Sequence, residues 1–289
     1  MNPLRLATRG SALARWQADH VAALLRDARP ERGVEVVVVS TEGDRRSDVP
    51  LSEIGGKGVF VKEVQAAVLD GRADIAVHSA KDLPALTPDG LTIAAVPRRG
   101  DPRDALVGVP LAALPQGGRV ATGSRRRGAQ LLALRPDLEV RDLRGNIARR
   151  LAKADEHHAV IIAVAALERL GLDDRIAEVL SVDQMCPQVG QGALAVEALA
   201  GGEVAEMLAV LEDPWSRRCV EAERAFLVEL GGDCDLPAGA HAEPDGDDLV
   251  LRAVLADDAG LRRLVLEGSD GVSLGREAAA RLRGGEGGP

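Results

Sequence analysis

Side chains capable of ionic and acid–base chemistry follow directly on an apolar run. The run predicts a buried strand over Ile75–His78, and Ser79, Lys81 and Asp82 come immediately after it. Ligands of α/β folds bind at the carboxyl ends of strands, where this strand would deliver those groups. A carboxylate held there beside an ammonium group can stay ionised and stabilise a cation. Two ordinary alternatives stay open, because Asp82 can equally cap a helix and Lys81 can be its ion-pair partner.

Arginine is concentrated where predicted strands meet predicted helices. Residues 125–150 hold eight arginines and three acidic residues, a local charge of +5 in a chain of net charge −9. Such junctions occur at Arg9–Ser11, Thr122–Arg127 and Arg144–Asn146. A helix N-terminus favours an anion, and guanidinium groups bind carboxylates and phosphates bidentately. The pattern predicts one ligand with many such groups, although any single arginine can simply belong to a solvated helix face.

One cysteine, Cys234, stands in a glycine-rich loop. Glycine lets the backbone approach a ligand closely, so Cys234 is the best candidate for covalent attachment. A spectator thiol stays an alternative, because the neighbouring Asp233 and Asp235 disfavour the thiolate. We expect Cys186 and Cys219 to pack in the interior. The spacing of the three cysteines predicts neither a disulfide framework nor a zinc site.

The bulk composition narrows the class of protein. The chain has 289 residues, a length that suggests two or three domains. Its net charge of −9 argues against a general nucleic-acid role, and no apolar run reaches the roughly 20 residues that span a bilayer. The first residues lack the pattern of a signal peptide, so we expect a cytoplasmic protein. Five scattered histidines predict no metal site, and Gly55–Gly58 lacks the spacing of a P-loop.

Predicted strands and helices alternate along most of the chain, which indicates an α/β fold with parallel-rich sheets. Val34–Ser40 is a continuous β-branched run, typical of a strand buried on both faces. Interruptions fall at 97–102 and 185–192, a hairpin is predicted around Asp257–Gly260, and residues 284–289 predict a frayed tail. Strands are predicted at Leu4–Thr8, Val34–Ser40, Ile75–His78, Leu91–Val96, Ala105–Val109, Arg119–Thr122, Glu139–Leu143, Val160–Val164, Ala193–Glu197, Leu249–Leu255 and Leu261–Leu266, and helices at 11–29, 60–69, 124–134, 147–156, 166–170, 216–230 and 273–282.

Eight motifs are specific as a set and in their order along the chain. They are Ala7–Ser11, Gly55–Glu63, Ala73–Pro84, Gly100–Ala105, Leu143–Asn146, Ala163–Leu172, Val189–Ala193 and the Cys234 loop. With these motifs the chain, from residue 7 to about residue 243, resembles the hydroxymethylbilane synthase family, also called porphobilinogen deaminase.

The resemblance implies an α/β fold of three domains. Two periplasmic-binding-protein-like α/β domains would be joined by two hinge crossings, and a smaller C-terminal α+β domain would carry the cofactor cysteine. Residues 1–97 with 190–213 would form domain 1, residues 98–189 domain 2 and residues 214–289 domain 3. A monomer that binds neither nucleic acid nor membrane is also implied.

The resemblance further implies a tetrapyrrole enzyme that joins four porphobilinogens head to tail, releases four ammonias and yields linear hydroxymethylbilane. The family carries a dipyrromethane cofactor, made from two substrate units and joined by a thioether, here to Cys234. Asp82 falls on the family's catalytic carboxylate, which stabilises positive charge as it develops. Cofactor- or substrate-binding positions of the family match Arg9, Ser11, Lys57, Ser79, Lys81, Thr122, Ser124, Arg126, Arg127, Arg144, Arg150 and Arg169.

Two other classes fit parts of the sequence. A non-catalytic clamshell protein that binds a small anion would explain the α/β halves and the arginines. A lysine-dependent enzyme with an aldehyde cofactor could be built on Lys57 or Lys81. Neither class needs Cys234, so the mass of the native protein discriminates between them and the family.

Overall fold

The computed structural model describes residues 2–40, 61–232 and 236–288. The chain forms two compact units. The first combines Met1–Arg99 with Ala193–Arg217, and the second combines Gly100–Gly192 with Arg218–Pro289. The chain therefore passes between the units three times, while the boundaries predicted for three domains stay a prediction.

A mixed five-stranded sheet forms the centre of the first unit, with the strand order β2-β1-β3-β10-β4. The first three strands of that order run parallel, whereas β10 runs antiparallel to β3 and β4. Its strands are β1 (Leu4–Arg9), β2 (Val34–Val39), β3 (Ile75–Ser79), β4 (Leu91–Ala95) and β10 (Leu194–Leu199), and its helices are α1 (Ala12–Ala28), α2 (Lys62–Leu69) and α6 (Glu203–Leu208).

Helices α1 and α2 cover opposite faces of this sheet. The hydroxyl of Ser11 caps α1 by accepting a hydrogen bond from a backbone N–H three residues on, at 3.3 Å. Val21 of α1 belongs to one apolar cluster with Ile75, and Val64 of α2 belongs to another with Ala76. Because successive side chains of a strand point to opposite faces, both faces of β3 are buried. The end of β3 is therefore held rigidly between the two helices.

The interpretation of residues 34–40 as a strand buried on both faces is wrong. Among the described residues, β2 is an edge strand whose one partner is β1. Glu35 is exposed, and Val38 keeps 50% of its surface open to solvent. A β-branched run records a preference for extended backbone, but it does not fix how many faces the sheet covers.

The second unit contains another mixed five-stranded sheet, with the order β7-β6-β8-β5-β9. Here β6 runs parallel to β7 and β8, and β5 runs antiparallel to β8 and β9. Its strands are β5 (Asp104–Gly108), β6 (Arg119–Ala121), β7 (Glu139–Arg141), β8 (Ala159–Ala163) and β9 (Ile176–Val179), and its helices are α3 (Arg125–Leu134), α4 (Ile147–Ala152) and α5 (Val164–Arg169).

A three-stranded antiparallel sheet completes the second unit, in the order β11-β12-β13. Phe226, Leu251 and Ala278 lie in its apolar core and are fully buried. The strands are β11 (Ala238–Asp245), β12 (Asp248–Asp257) and β13 (Gly260–Gly268), and the helices are α7 (Pro214–Glu229), which belongs to this unit from Arg218 onward, and α8 (Gly271–Arg283). Short 3-10 helices lie at Ala80–Asp82, Leu111–Ala113, Ala154–Glu156, Asp173–Arg175 and Ala209–Leu211.

The last part of the chain confirms one local prediction and corrects another. Asp257 pairs with Gly260 in the predicted antiparallel hairpin, and Gly260 has φ +115°, which favours glycine. The frayed tail is wrong at Gly288, because Arg263 and Gly288 exchange backbone hydrogen bonds of 2.7 and 3.2 Å. None of the helices in the described ranges is both long and apolar enough to cross a bilayer.

Candidate active site

The end of β3 delivers Lys81 and Asp82 on a one-turn 3-10 helix, Ala80–Asp82. The backbone N–H of Ala80 donates to the carbonyl of Ala193 at 3.0 Å, and the buried Leu83 closes the turn. Asp82 itself is exposed, and none of the described residues donates a hydrogen bond to its carboxylate. The backbone of this turn is therefore held in place, and the carboxylate is available to a ligand.

A cleft beside this turn gathers several of the predicted residues of the first unit. Arg9, Ser11 and Ser79 line it together with Asp82. Gln17 of α1 also lines the cleft, and its Nε2 donates to Ser79 Oγ at 2.8 Å. Since Ser79 accepts from Gln17, its own hydroxyl proton can be donated to a bound acceptor.

Gln17 lines the cleft, although the sequence did not single it out. It is only 3% exposed, and it lies on the face of α1 that also buries Val21. The sequence did contain a signal for Gln17. It lies four positions before the apolar Val21, so both residues fall on the buried stripe of the helix.

His78 points away from Ser79 and into the interior, because neighbouring residues of a strand face opposite ways. Its Nε2 lies 3.1 Å from Glu197 Oε2, without the alignment of a hydrogen bond. Gln65 donates to both oxygens of Glu197, at 3.1 and 2.9 Å. The three buried side chains therefore connect β3, β10 and α2.

In the second unit, Arg126 and Arg127 lie at the start of α3 and are only 3% and 6% exposed. Both guanidinium groups bind the fully buried carboxylate of Asp104: Arg126 Nη2 at 2.7 Å, Arg127 Nη2 at 2.7 Å and Arg127 Nε at 3.1 Å. A fourth donor, Gln191 Nε2, lies 2.8 Å from Asp104. Burial raises the pKa of a carboxyl, but the two guanidiniums more than offset it and hold the pKa of Asp104 well below its usual range.

The hydroxyls predicted to contact a ligand at the same place also build the helix start. Thr122 Oγ1 accepts from the backbone N–H of Ser124 at 3.2 Å, and Ser124 Oγ accepts from that of Arg127 at 3.4 Å. Thr122 is buried, whereas Ser124 is half-buried. Both hydroxyls therefore bind backbone N–H groups at the start of the helix that carries the arginine pair.

Three further predicted arginines have distinct surroundings. Arg144 is exposed and its Nε binds Asp142 at 3.1 Å, while Arg150 Nε donates to the carbonyl of Gly145 at 2.7 Å. Arg169 Nη2 donates to the Gly192 carbonyl at 2.6 Å. Burial lowers the pKa of Arg169 to about 10, which still leaves it protonated at neutral pH.

The strand that follows the Cys234 loop passes close to the arginine pair. A Cβ added at Gly239, the second residue of β11, would lie 2.6 Å from the Pro187 carbonyl oxygen and 2.9 Å from Arg126 Cδ. The fully buried Glu223 of α7 accepts hydrogen bonds from the backbone N–H of Ala242, in the same strand, at 2.9 Å and of Gly190 at 2.7 Å. Helix α7 and the segment around residues 187–190 therefore hold β11 in place.

Two predicted site residues, Lys57 and Cys234, lie outside the described residues. The other two cysteines are buried as expected, and burial raises the pKa of Cys186 to about 12, so its thiol is unreactive at neutral pH. Across residues 2–40, 61–232 and 236–288, no cluster of three His, Cys, Asp or Glu side chains could hold a metal ion.

Known proteins of one family match nearly the whole chain. The family described as porphobilinogen deaminase, dipyromethane cofactor binding domain, matches residues 4–206, and porphobilinogen deaminase, C-terminal domain, matches residues 217–284. The chain belongs to the porphobilinogen deaminase family. The porphobilinogen deaminase of Acidithiobacillus ferrooxidans is 49% identical over 287 residues, which cover 96% of this chain and 94% of that protein. That of a Roseiflexus species is 49% identical over 288 residues, covering 96% and 95%.

Membership of the porphobilinogen deaminase family confirms the predicted activity and cofactor. The chain is a transferase that polymerises porphobilinogen in tetrapyrrole biosynthesis, and dipyrromethane is its cofactor. The α/β fold class with a smaller C-terminal α+β part is also confirmed. The clamshell anion-binding protein and the lysine-dependent enzyme are thereby set aside. Among solved structures, a TRAP periplasmic solute binding protein from Desulfovibrio salexigens has a TM-score of 0.44 and 11% identity, covering 73% of this chain and 72% of that one.

Proposed function

We propose that the enzyme joins four porphobilinogens into linear hydroxymethylbilane with release of four ammonias, and that Asp82 is its catalytic carboxylate. The proposal rests on the position of the Asp82 carboxylate. Its carboxylate is exposed at the end of β3, in a cleft with Arg9 and Ser79, and no described residue occupies its lone pairs. An ionised carboxylate with free lone pairs can accept the N–H of a pyrrole ring.

The loss of ammonia from porphobilinogen is favoured by a negative charge close to the pyrrole ring. Loss of ammonia from porphobilinogen leaves an electron-poor pyrrole whose nitrogen carries positive charge as the bond breaks. Asp82 stabilises that charge from a turn whose backbone is held by the hydrogen bond from Ala80 to Ala193. Removing one such preorganised group costs about 100- to 1000-fold in kcat in other enzymes.

Porphobilinogen carries an acetate and a propionate, so a growing chain is a polyanion. We assign Arg9, Ser11 and Ser79 to these carboxylates in the first unit, since they line the cleft around Asp82. Lys57 and Lys81 are assigned to the same task by their place in the family motifs. In the second unit, the corresponding assignment is Thr122, Ser124, Arg126, Arg127, Arg144, Arg150 and Arg169.

The residues of the second unit fit a cofactor with several carboxylates. Two guanidiniums and the Asp104 carboxylate leave one positive charge in excess at a buried place, and Arg126 Nε has no hydrogen-bond partner among the described residues. A bound anionic group would neutralise the excess charge and accept a hydrogen bond from Arg126 Nε. When bound, dipyrromethane supplies the pyrrole carbon to which the substrate units are joined.

We propose Cys234 as the attachment point of dipyrromethane. Gly239, five residues further along the chain, packs against Arg126. Five fully extended residues span at most about 18 Å, which is the upper limit that the chain sets on the distance from Cys234 to Gly239. We further propose three domains with the boundaries given above, because the described residues form three separate sheets. We also propose that the enzyme is monomeric and cytoplasmic.

The test combines intact mass with turnover of porphobilinogen. We expect the wild-type protein to exceed its sequence mass by a dipyrrole, Cys234→Ser to lose that mass and Cys219→Ala, at a buried cysteine, to retain it. Asp82→Asn is expected to keep the added mass and lose at least about 100-fold in kcat. Asp89→Asn, at an exposed aspartate of the same unit, is the matched control and should match wild type.

Two results would contradict the proposal. A wild-type protein of bare sequence mass that turns over no porphobilinogen after reconstitution would remove the function. Wild-type kcat in Asp82→Asn would remove this residue from the mechanism while leaving the function in place.

A further inference from the structure

The buried Asp104 carboxylate leaves much of the arginine pair uncommitted. Two guanidinium groups carry ten N–H groups between them. Within the described part of the chain, Arg126 uses one on Asp104 and one on the Cys186 carbonyl, while Arg127 uses two on Asp104 and one on the Ile161 carbonyl. Half of the N–H groups are therefore held and half remain for another acceptor.

The charge of this cluster is also incomplete. One carboxylate faces two guanidiniums, although each of the three side chains is at least nine-tenths buried. A buried cluster built for stability alone would be balanced, because leaving a buried charge uncompensated is costly. The excess positive charge and the unpartnered Arg126 Nε point to an anionic ligand as the missing member.

Asp104 is well placed to fix the two arginines relative to the rest of the unit. It begins β5, and its backbone carbonyl accepts from Leu180 N at 2.9 Å. Gln191, which donates to its carboxylate, also donates to the Pro102 carbonyl at 2.7 Å. The carboxylate thus has a backbone and a side-chain support that are independent of the arginines.

We propose that Asp104 is a positioning residue, which fixes the guanidinium groups of Arg126 and Arg127 so that their remaining N–H groups bind carboxylates of the dipyrromethane cofactor and the growing chain. This inference rests on the proposed function of the arginines. Asp104 sets the positions of the two guanidinium groups, whereas Asp82 takes part in the chemistry.

The test uses two substitutions that separate charge from geometry. Asp104→Glu keeps the negative charge but moves it by one methylene, about 1.5 Å, whereas Asp104→Asn keeps the shape and removes the charge. Misplacement of a binding group by about 1 Å can cost about 100-fold in rate. The matched control is Asp137→Glu, at an aspartate that pairs with Arg135 in the same unit but away from the cluster.

We expect Asp104→Glu to fold, to carry the dipyrrole mass in a smaller fraction of molecules and to lose about 100-fold in kcat/KM for porphobilinogen. Asp104→Asn should lose at least as much, and Asp137→Glu should match wild type. A structural role alone would lower the melting temperature but leave kcat/KM per folded, cofactor-bearing molecule unchanged.

The outcomes separate this inference from the function it rests on. Wild-type kcat/KM and cofactor content in folded Asp104→Glu would overturn the positioning role alone. Failure of both variants to fold would assign Asp104 to stability and overturn it as well. A wild-type protein without added mass and without turnover would instead overturn the proposed function.

Discussion

The close approach at Gly239 gives a prediction whose magnitude follows from the structure. In Gly239→Ala the new Cβ would lie 2.6 Å from the Pro187 carbonyl oxygen, 2.9 Å from Arg126 Cδ and 3.1 Å from the Cys186 carbonyl oxygen. Real Cβ atoms essentially never approach within 3.0 Å, so backbone must shift by at least about 0.4 Å. Forcing extra volume into a packed place costs about 1 to 3 kcal/mol.

A loss of about 2 kcal/mol corresponds to a fall of roughly 4 °C in Tm for a chain of this size. Because the shift moves β11 against Arg126, we also expect a smaller fraction of molecules with the dipyrrole mass. Thermal unfolding followed by circular dichroism, together with intact mass, measures both effects. The matched control is Gly288→Ala, where an added Cβ meets nothing within 4 Å. A Gly239→Ala protein that melts within 1 °C of wild type would refute the argument from close approach.

Two further predictions concern the first unit. Gln17→Met keeps the side-chain volume but removes the hydrogen-bond donor to Ser79. We therefore expect KM for porphobilinogen to rise several-fold with little change in Tm. An unchanged KM would show that Gln17 has no part in substrate binding. Asp74 is partly buried, which raises its pKa, but hydrogen bonds from Arg5 outweigh this and lower the pKa below its usual value. The pair therefore stabilises the fold above the unfolded pKa of about 3.9 and loses that contribution as pH falls below it. The Tm difference between wild type and Asp74→Asn should be constant from pH 7 to 5 and shrink below pH 4, and a difference that grows in acid would contradict the sign.

Local chemistry made several parts of the fold predictable. Predicted helices begin at Ser11 and Ser124, and in the structure each serine caps its helix through its hydroxyl. The apolar run before Asp82 was expected to be a buried strand, and β3 is buried on both faces. Such signals are contained in a few consecutive residues, so the sequence carries them without a partner from elsewhere.

Pairing across long sequence distances was not predictable in the same way. The arginines at 126 and 127 were recognised as an anion site, but nothing local shows that Asp104 is their partner from another strand. The edge position of β2 and the antiparallel course of β10 depend on which strands become neighbours. β11 was missed because Ala238–Asp245 contains glycine, proline and charged residues, and its pairing with β12 overrides those weak preferences.

The pairing of Gly288 with Arg263 has a consequence for how the molecule behaves at high concentration. β13 is an outer strand of its sheet, and Val265 on it is 53% exposed, features that invite another polypeptide to add as a further strand. The N–H and C=O of Arg263 are already engaged by the final turn of the same chain. The two hydrogen bonds between Arg263 and Gly288 thus occupy part of the open edge of β13. A neighbouring molecule cannot add a strand at that part of the edge, which opposes fibril-like stacking.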